Sequence, residues 1–138
     1  MPAGRKPPVP GVLHHVALGA RDPGRVAAFY RDLLGLREVR RHHGQGGVLR
    51  SVWLDLGEAV LMIERTDEPS RLVRGVGAGP FLLAFKAAPA ERGALEQLLE
   101  ASGFPVESRT EHTAYFSDPE GNRVAVSSYP LHDDNNDT

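Results

Sequence analysis

The stretch His14-His15-Val16-Ala17-Leu18 decides how this chain is read. Residues 12–20 alternate in the manner of a β-strand. Successive strand side chains point to opposite faces, so His15, Ala17 and Gly19 share one face and Val16, Leu18 and Ala20 the other. The second set is apolar and belongs against a helix. The first set begins with an imidazole, a metal-capable group, and lines something else.

A helix follows directly. Asp22 can cap free N–H groups, and Pro23 suits the first helical position. Val26, Phe29, Tyr30, Leu33 and Leu34 form one apolar stripe, and Gly35 is the expected left-handed residue that ends it. Strands are predicted over 36–41, 48–56 and 59–65. His42 and His43 open a loose turn that runs to Gly47 and read as solvated. Arg37, Arg40, Arg41 and Arg50 read as a wet strand edge.

The order then repeats. After a linker at 66–79, rich in Gly, Pro and charge, a strand is predicted over 81–87 and a helix over 89–102. Gly103 follows the helix. Strands are then predicted over 104–109, 113–116 and 123–128, with Asp118-Pro119-Glu120-Gly121-Asn122 as a turn by composition. His15-Val16-Ala17-Leu18 aligns with Leu82-Leu83-Ala84-Phe85. The expected fold class is α+β: two βαβββ modules (12–65 and 80–130) in one domain, each a curved mixed sheet backed by its helix. Residues 1–11 read as a Pro-rich extended arm and 131–138 as a frayed polar tail.

Composition bounds the function. A net charge of −2 gives no basic face for nucleic acid. The absence of cysteine leaves His, Asp and Glu as the hard metal donors. No apolar run approaches the ~18 residues of a membrane span. Arg5 and Lys6 have no apolar segment behind them, so a cytoplasmic protein is expected. The Gly-rich segments at 44–47 and 75–79 do not stand between a strand and a helix, as a phosphate loop must.

Three motifs together resemble the vicinal oxygen chelate superfamily of glyoxalases, bleomycin-resistance proteins and extradiol dioxygenases. They are His15-x-Ala17-Leu18 followed by Asp22, Phe29-Tyr30-x-x-Leu33-Leu34-Gly35-Leu36, and Asp118-Pro119-Glu120-Gly121-Asn122-Arg123. The resemblance covers residues 12–130. It implies paired modules curling into a cup and, in short members, a homodimer whose two chains build each cup. It also implies one divalent metal, held by side chains on the first and last strands of each module and acting as a Lewis acid.

The implied ligand positions in this chain are His15, Met62, Leu82 and Ala125. Only the first carries a donor for a hard divalent ion. Glu64 shares the face of Met62 and substitutes for it if the register shifts. His112 completes a His15–Glu64–His112 triad if it lies at the rim; otherwise it is a loop histidine. His14 points away from the cup and reads as a partner of the N-terminal arm.

Two functions remain open. One is a bleomycin-resistance-like module that binds a small organic molecule without a resident cofactor. Ala17, Met62, Leu82 and Ala125 then line the cup, Trp53 and Tyr115 offer stacking surface, and His15 hydrogen-bonds the ligand. The other is a lyase, isomerase or dioxygenase with a divergent divalent-metal site, in which Glu64 is a ligand or a general base.

Overall fold

The computed structural model describes residues 11–131. The readings of the N-terminal arm and of the C-terminal tail therefore fall, almost entirely, outside the described residues. The first half comprises β1 (His15–Ala20), α1 (Pro23–Ala28), β2 (Glu38–His43), β3 (Leu49–Asp55) and β4 (Val60–Arg65). The second comprises β5 (Leu83–Lys86), α2 (Pro89–Ala101), β6 (Ser108–Arg109), β7 (Thr113–Ser117) and β8 (Arg123–Ser127). The sheets run β1-β4-β3-β2 and β5-β8-β7-β6. In each, the first and last strands pair in parallel and the other pairings are antiparallel. The chain is thus α+β, with the βαβββ unit used twice.

Local chemistry explains the boundaries. Asp22 Oδ1 accepts from the Arg25 amide at 3.1 Å, which caps α1, and Pro23 stands at its start. The helix then widens into a π turn over Phe29–Leu33. Gly35 takes φ +78°, and the Leu36 amide closes back on the Tyr30 carbonyl at 3.0 Å. That closure delays β2, which begins at Glu38 rather than residue 36.

The strand also runs further than expected. His42 and His43 lie in β2, not in a turn, and the β2–β3 register shifts at Glu38/Arg40 and at His42/His43. The strand predicted over 104–109 narrows to Ser108–Arg109. Pro105 has no N–H to donate, and the Phe104 amide returns to the Leu99 carbonyl at 2.8 Å to finish α2.

One apolar core spans both halves. Val52, Leu54, Leu61 and Ile63 of the first sheet join Ala114, Phe116, Val124 and Val126 of the second, with Val26, Phe29, Tyr30 and Leu99 from the helices. The Phe29 ring packs edge-on against Phe104 at 4.8 Å, and the Tyr30 ring lies 6.1 Å from Phe85. The helix-bearing faces of both sheets are therefore spent on each other. Each sheet keeps one open face, and β1 and β5 are each left at a sheet edge.

Candidate functional site

The open face of the first sheet carries what the alternation of β1 places there. His15 and Ala17 are exposed, whereas Val16 and Leu18 pack on the core. Across the strands, Ala17 lies opposite Met62, and Met62 opposite Trp53. The Trp53 indole N–H donates to Ser51 Oγ at 2.8 Å, and Ser51 donates to Glu64 Oε1 at 3.1 Å. The His42 ring meets Trp53 edge-on at 5.1 Å, and its Nε2 is buried without a partner. The Arg40 guanidinium lies over the Trp53 ring, 5.6 Å from its centroid.

The open face of the second sheet repeats this register. Ala84 lies opposite Ala125, and Ala125 opposite Tyr115. Met62 and Ala125 therefore occupy equivalent positions, as do Trp53 and Tyr115. Leu82 precedes β5 at the position that His15 holds in β1. Ala125 is fully buried, while Tyr115 is partly open. The Arg123 guanidinium lies over the Tyr115 ring at 4.6 Å. Thr113 and Ser127 share a hydrogen bond of 2.7 Å at one end of this face.

A cavity of about 470 Å³ lies between β1 and the segment leading into β5. Ala17, Gly19, Arg71, Leu82, Glu120 and Arg123 contribute to its wall. The linker covers it as a strap. Glu120 Oε1 accepts from the Arg21 amide and from Ser70 Oγ, both at 2.7 Å. The Val73 amide donates to the Gly121 carbonyl at 3.0 Å. Gly121 has φ +89°, and a Cβ there would stand 3.3 Å from the Arg71 carbonyl oxygen and from Leu72 Cα.

Of the residues expected from the sequence, this cavity brings together Ala17 and Leu82. His15, Trp53, Met62 and Glu64 sit on the first open face, and Tyr115 and Ala125 on the second sheet. His15 lies opposite Val60 and Glu64 opposite Gly19. At about 3.3 Å per residue, the two backbone positions are roughly 13 Å apart along the strands. His14 Nδ1 is 2.9 Å from that of His15, and the arm it was expected to partner lies outside the described residues.

His112 lies in the bend that leads into β7, outside the strands. Its carbonyl accepts from the Ser128 amide at 2.9 Å, and its ring packs on Tyr129 at 5.4 Å. Among the described residues, no three His, Asp or Glu side chains converge as a metal ion requires. Nor is any helix there long and apolar enough to cross a membrane.

Sequence reasoning missed several residues of these faces. Ser51 and Asp55 share the parity of Trp53, and Arg123 that of Ala125, so alternation could have found them. His42 gives no such signal, because its neighbouring glycines mark a turn where β2 continues. Asp55 is held below the usual carboxylate range by the Gly57 N–H and then by Arg37. Glu38 is lowered likewise, chiefly by Arg41 and then by Arg31.

This topology has known counterparts. The model of the Glyoxalase/Bleomycin resistance protein/Dioxygenase superfamily matches residues 12–126, and the chain belongs to that superfamily. Among solved structures, the chain is similar to a lactoylglutathione lyase from Agrobacterium tumefaciens. Identity is 29%, the TM-score is 0.63, and 86% of this chain and 93% of that one are covered. It is also similar to a glyoxalase family protein from Enterococcus faecalis, at 26% identity and TM-score 0.65 over 83% and 94% of the two chains. The fosfomycin resistance protein FosX from Listeria monocytogenes, solved with Mn(II) and 1S,2S-dihydroxypropylphosphonic acid, shares the fold. There the TM-score is 0.74 at 16% identity, over 89% of this chain and 96% of that one. Among curated proteins, none matches.

Proposed function

We propose that the chain binds a small organic molecule in an apolar cup and lacks the metal set of its enzymatic relatives, as a bleomycin-resistance-like module. One observation carries this reading. The strand register makes Met62 and Ala125 equivalent, and it puts Leu82 where β1 has His15. Three of the four implied ligand positions thus hold a thioether or a hydrocarbon. A hard divalent ion takes imidazole and carboxylate, and three protein ligands are the usual minimum. Glu64 stands too far along the strands from His15 to restore the pair. This donor set does not fit the metal.

The same reading includes a homodimer. Both open faces look away from the shared core, and β1 and β5 are free along one edge. A second copy would set the first sheet of one chain against the second sheet of the other, and the cup would close around Trp53 and Tyr115.

A divergent lyase, isomerase or dioxygenase is the second reading. The retained His15 and the 29% identity to a lactoylglutathione lyase favour it.

Metal analysis of protein purified without chelator separates the two. The binding module carries no stoichiometric metal, and zinc, nickel, manganese or iron at one equivalent overturns it. Sedimentation tests the dimer in the same preparation, and a purely monomeric species removes that part of the reading.

A further inference from the structure

The two modules hold the same device at the same place. Trp53 and Tyr115 are register equivalents, each directly opposite a vacated ligand position, Met62 or Ala125. Each carries a guanidinium over its ring, Arg40 at 5.6 Å and Arg123 at 4.6 Å. The two arginines are not themselves equivalent: Arg40 comes from the neighbouring β2, and Arg123 from β8, two positions before Ala125. The stacking therefore arises twice by different routes, which the shared βαβββ plan alone does not explain.

Neither arginine forms an ion pair among the described residues. Arg123 has only a 3.4 Å contact to Ser108 Oγ. Elsewhere in the chain, Arg31, Arg37, Arg41, Arg92 and Arg109 are matched with carboxylates. Lys86 adds another unpaired cation, on the same face as Ala84 and Ala125. Against these stand Glu64, which accepts from Ser51, and Asp55, which is matched with Arg37.

A guanidinium held near an aromatic face and without a carboxylate partner keeps its planar N–H fork free for another acceptor. That is the arrangement that receives a carboxylate or phosphonate in bidentate fashion. We infer that the cup takes an anionic ligand, an aromatic ring bearing a carboxylate or phosphonate, with Arg40 and Arg123 as its anion-holding residues. The inference rests on the binding-module reading above and names its ligand class.

Trp53 is the single tryptophan of the chain, so its fluorescence reports from the site itself. The probes are benzoate and phenylphosphonate, with benzylamine and benzyl alcohol as cationic and neutral rings of similar size. Benzoate or phenylphosphonate is expected to perturb Trp53 at concentrations about tenfold below the other two. Arg40→Gln and Arg123→Gln each lose about tenfold for the anions and leave benzyl alcohol unchanged. Arg40→Lys keeps the charge without the planar fork and recovers only part of the affinity. Arg65→Gln, an exposed arginine on the opposite parity of β4, changes nothing.

Added salt weakens anion binding and spares the neutral ring. Equal binding of benzylamine and benzoate overturns the anion inference and leaves the binding module standing. So do Arg40→Gln and Arg123→Gln variants that both keep the anions. Silence of Trp53 towards all four probes overturns both.

Discussion

The phenol of Tyr30 donates to Oδ2 of Asp118 at 2.7 Å, inside the protein and across 88 positions of sequence. Both residues are buried. Asp118 Oδ1 also accepts from the Glu120 and Asn122 amides, and its Oδ2 from the Asn122 side-chain amide, each at 2.9 Å. One carboxylate thus organises the turn of the second module and clasps the helix of the first.

Tyr30→Phe removes the only one of these donors that comes from the first module. A hydrogen bond to a charged group contributes about 1.5–3 kcal/mol. The variant is expected to lower the unfolding free energy by about that amount, measured by denaturant titration. An unchanged midpoint would show that the clasp contributes nothing.

The same pair predicts an alkaline limb of stability. Burial first, and then the negative charge of Asp118, push the Tyr30 phenol well above its usual range. Ionisation is thus favoured in the unfolded chain. The stabilisation is complete below about pH 10, where both states are protonated, and falls as pH rises above it. Thermal unfolding followed upward from neutral pH should show the decline, and in Tyr30→Phe it should be shallower.

Gly121→Ala tests the strap. The left-handed backbone at φ +89° costs an L-residue roughly 1–2 kcal/mol. The new methyl also presses on Arg71 and Leu72. The expected outcome is a lower unfolding midpoint, together with faster protease cleavage within residues 66–79. Cleavage at the wild-type rate would detach the strap from this turn.

Ser51→Ala breaks the chain from Trp53 to Glu64. It removes the acceptor of the indole N–H and one donor to the carboxylate, at a cost of about 1–2 kcal/mol. Trp53 emission should shift as the ring loses its anchor. Retention of both spectrum and stability would mean that Ser51 does not fix the ring.

Much of the fold was legible because its signals are local. The parity of β1, the Asp22–Pro23 start of α1 and the terminating Gly35 and Gly103 each depend on a few neighbours, and both glycines take the expected positive φ. Met62 and Ala125 came from the family resemblance as ligand positions, and the strand register makes them equivalent. What was not legible depends on distance or on competing bonds. β2 begins late because Leu36 is still closing the helix, and it reaches His43 although histidine carries little β preference. The Tyr30–Asp118 clasp joins residues that no window covers. Arg40 reads as solvated charge until the strands set it near the Trp53 ring, and Arg123 has no reading of its own beyond its motif until β8 sets it near Tyr115.

The shared core also carries a consequence for how the chain is made. Phe29 and Tyr30 are synthesised early, yet their neighbours include the half-buried Phe85 and Phe104 and the buried Phe116 and Asp118. The leading half therefore emerges from the ribosome with the aromatic end of its helix uncovered. It stays so until nearly the last strand has followed. Duplication produced two similar units, but not two units that can finish folding one at a time.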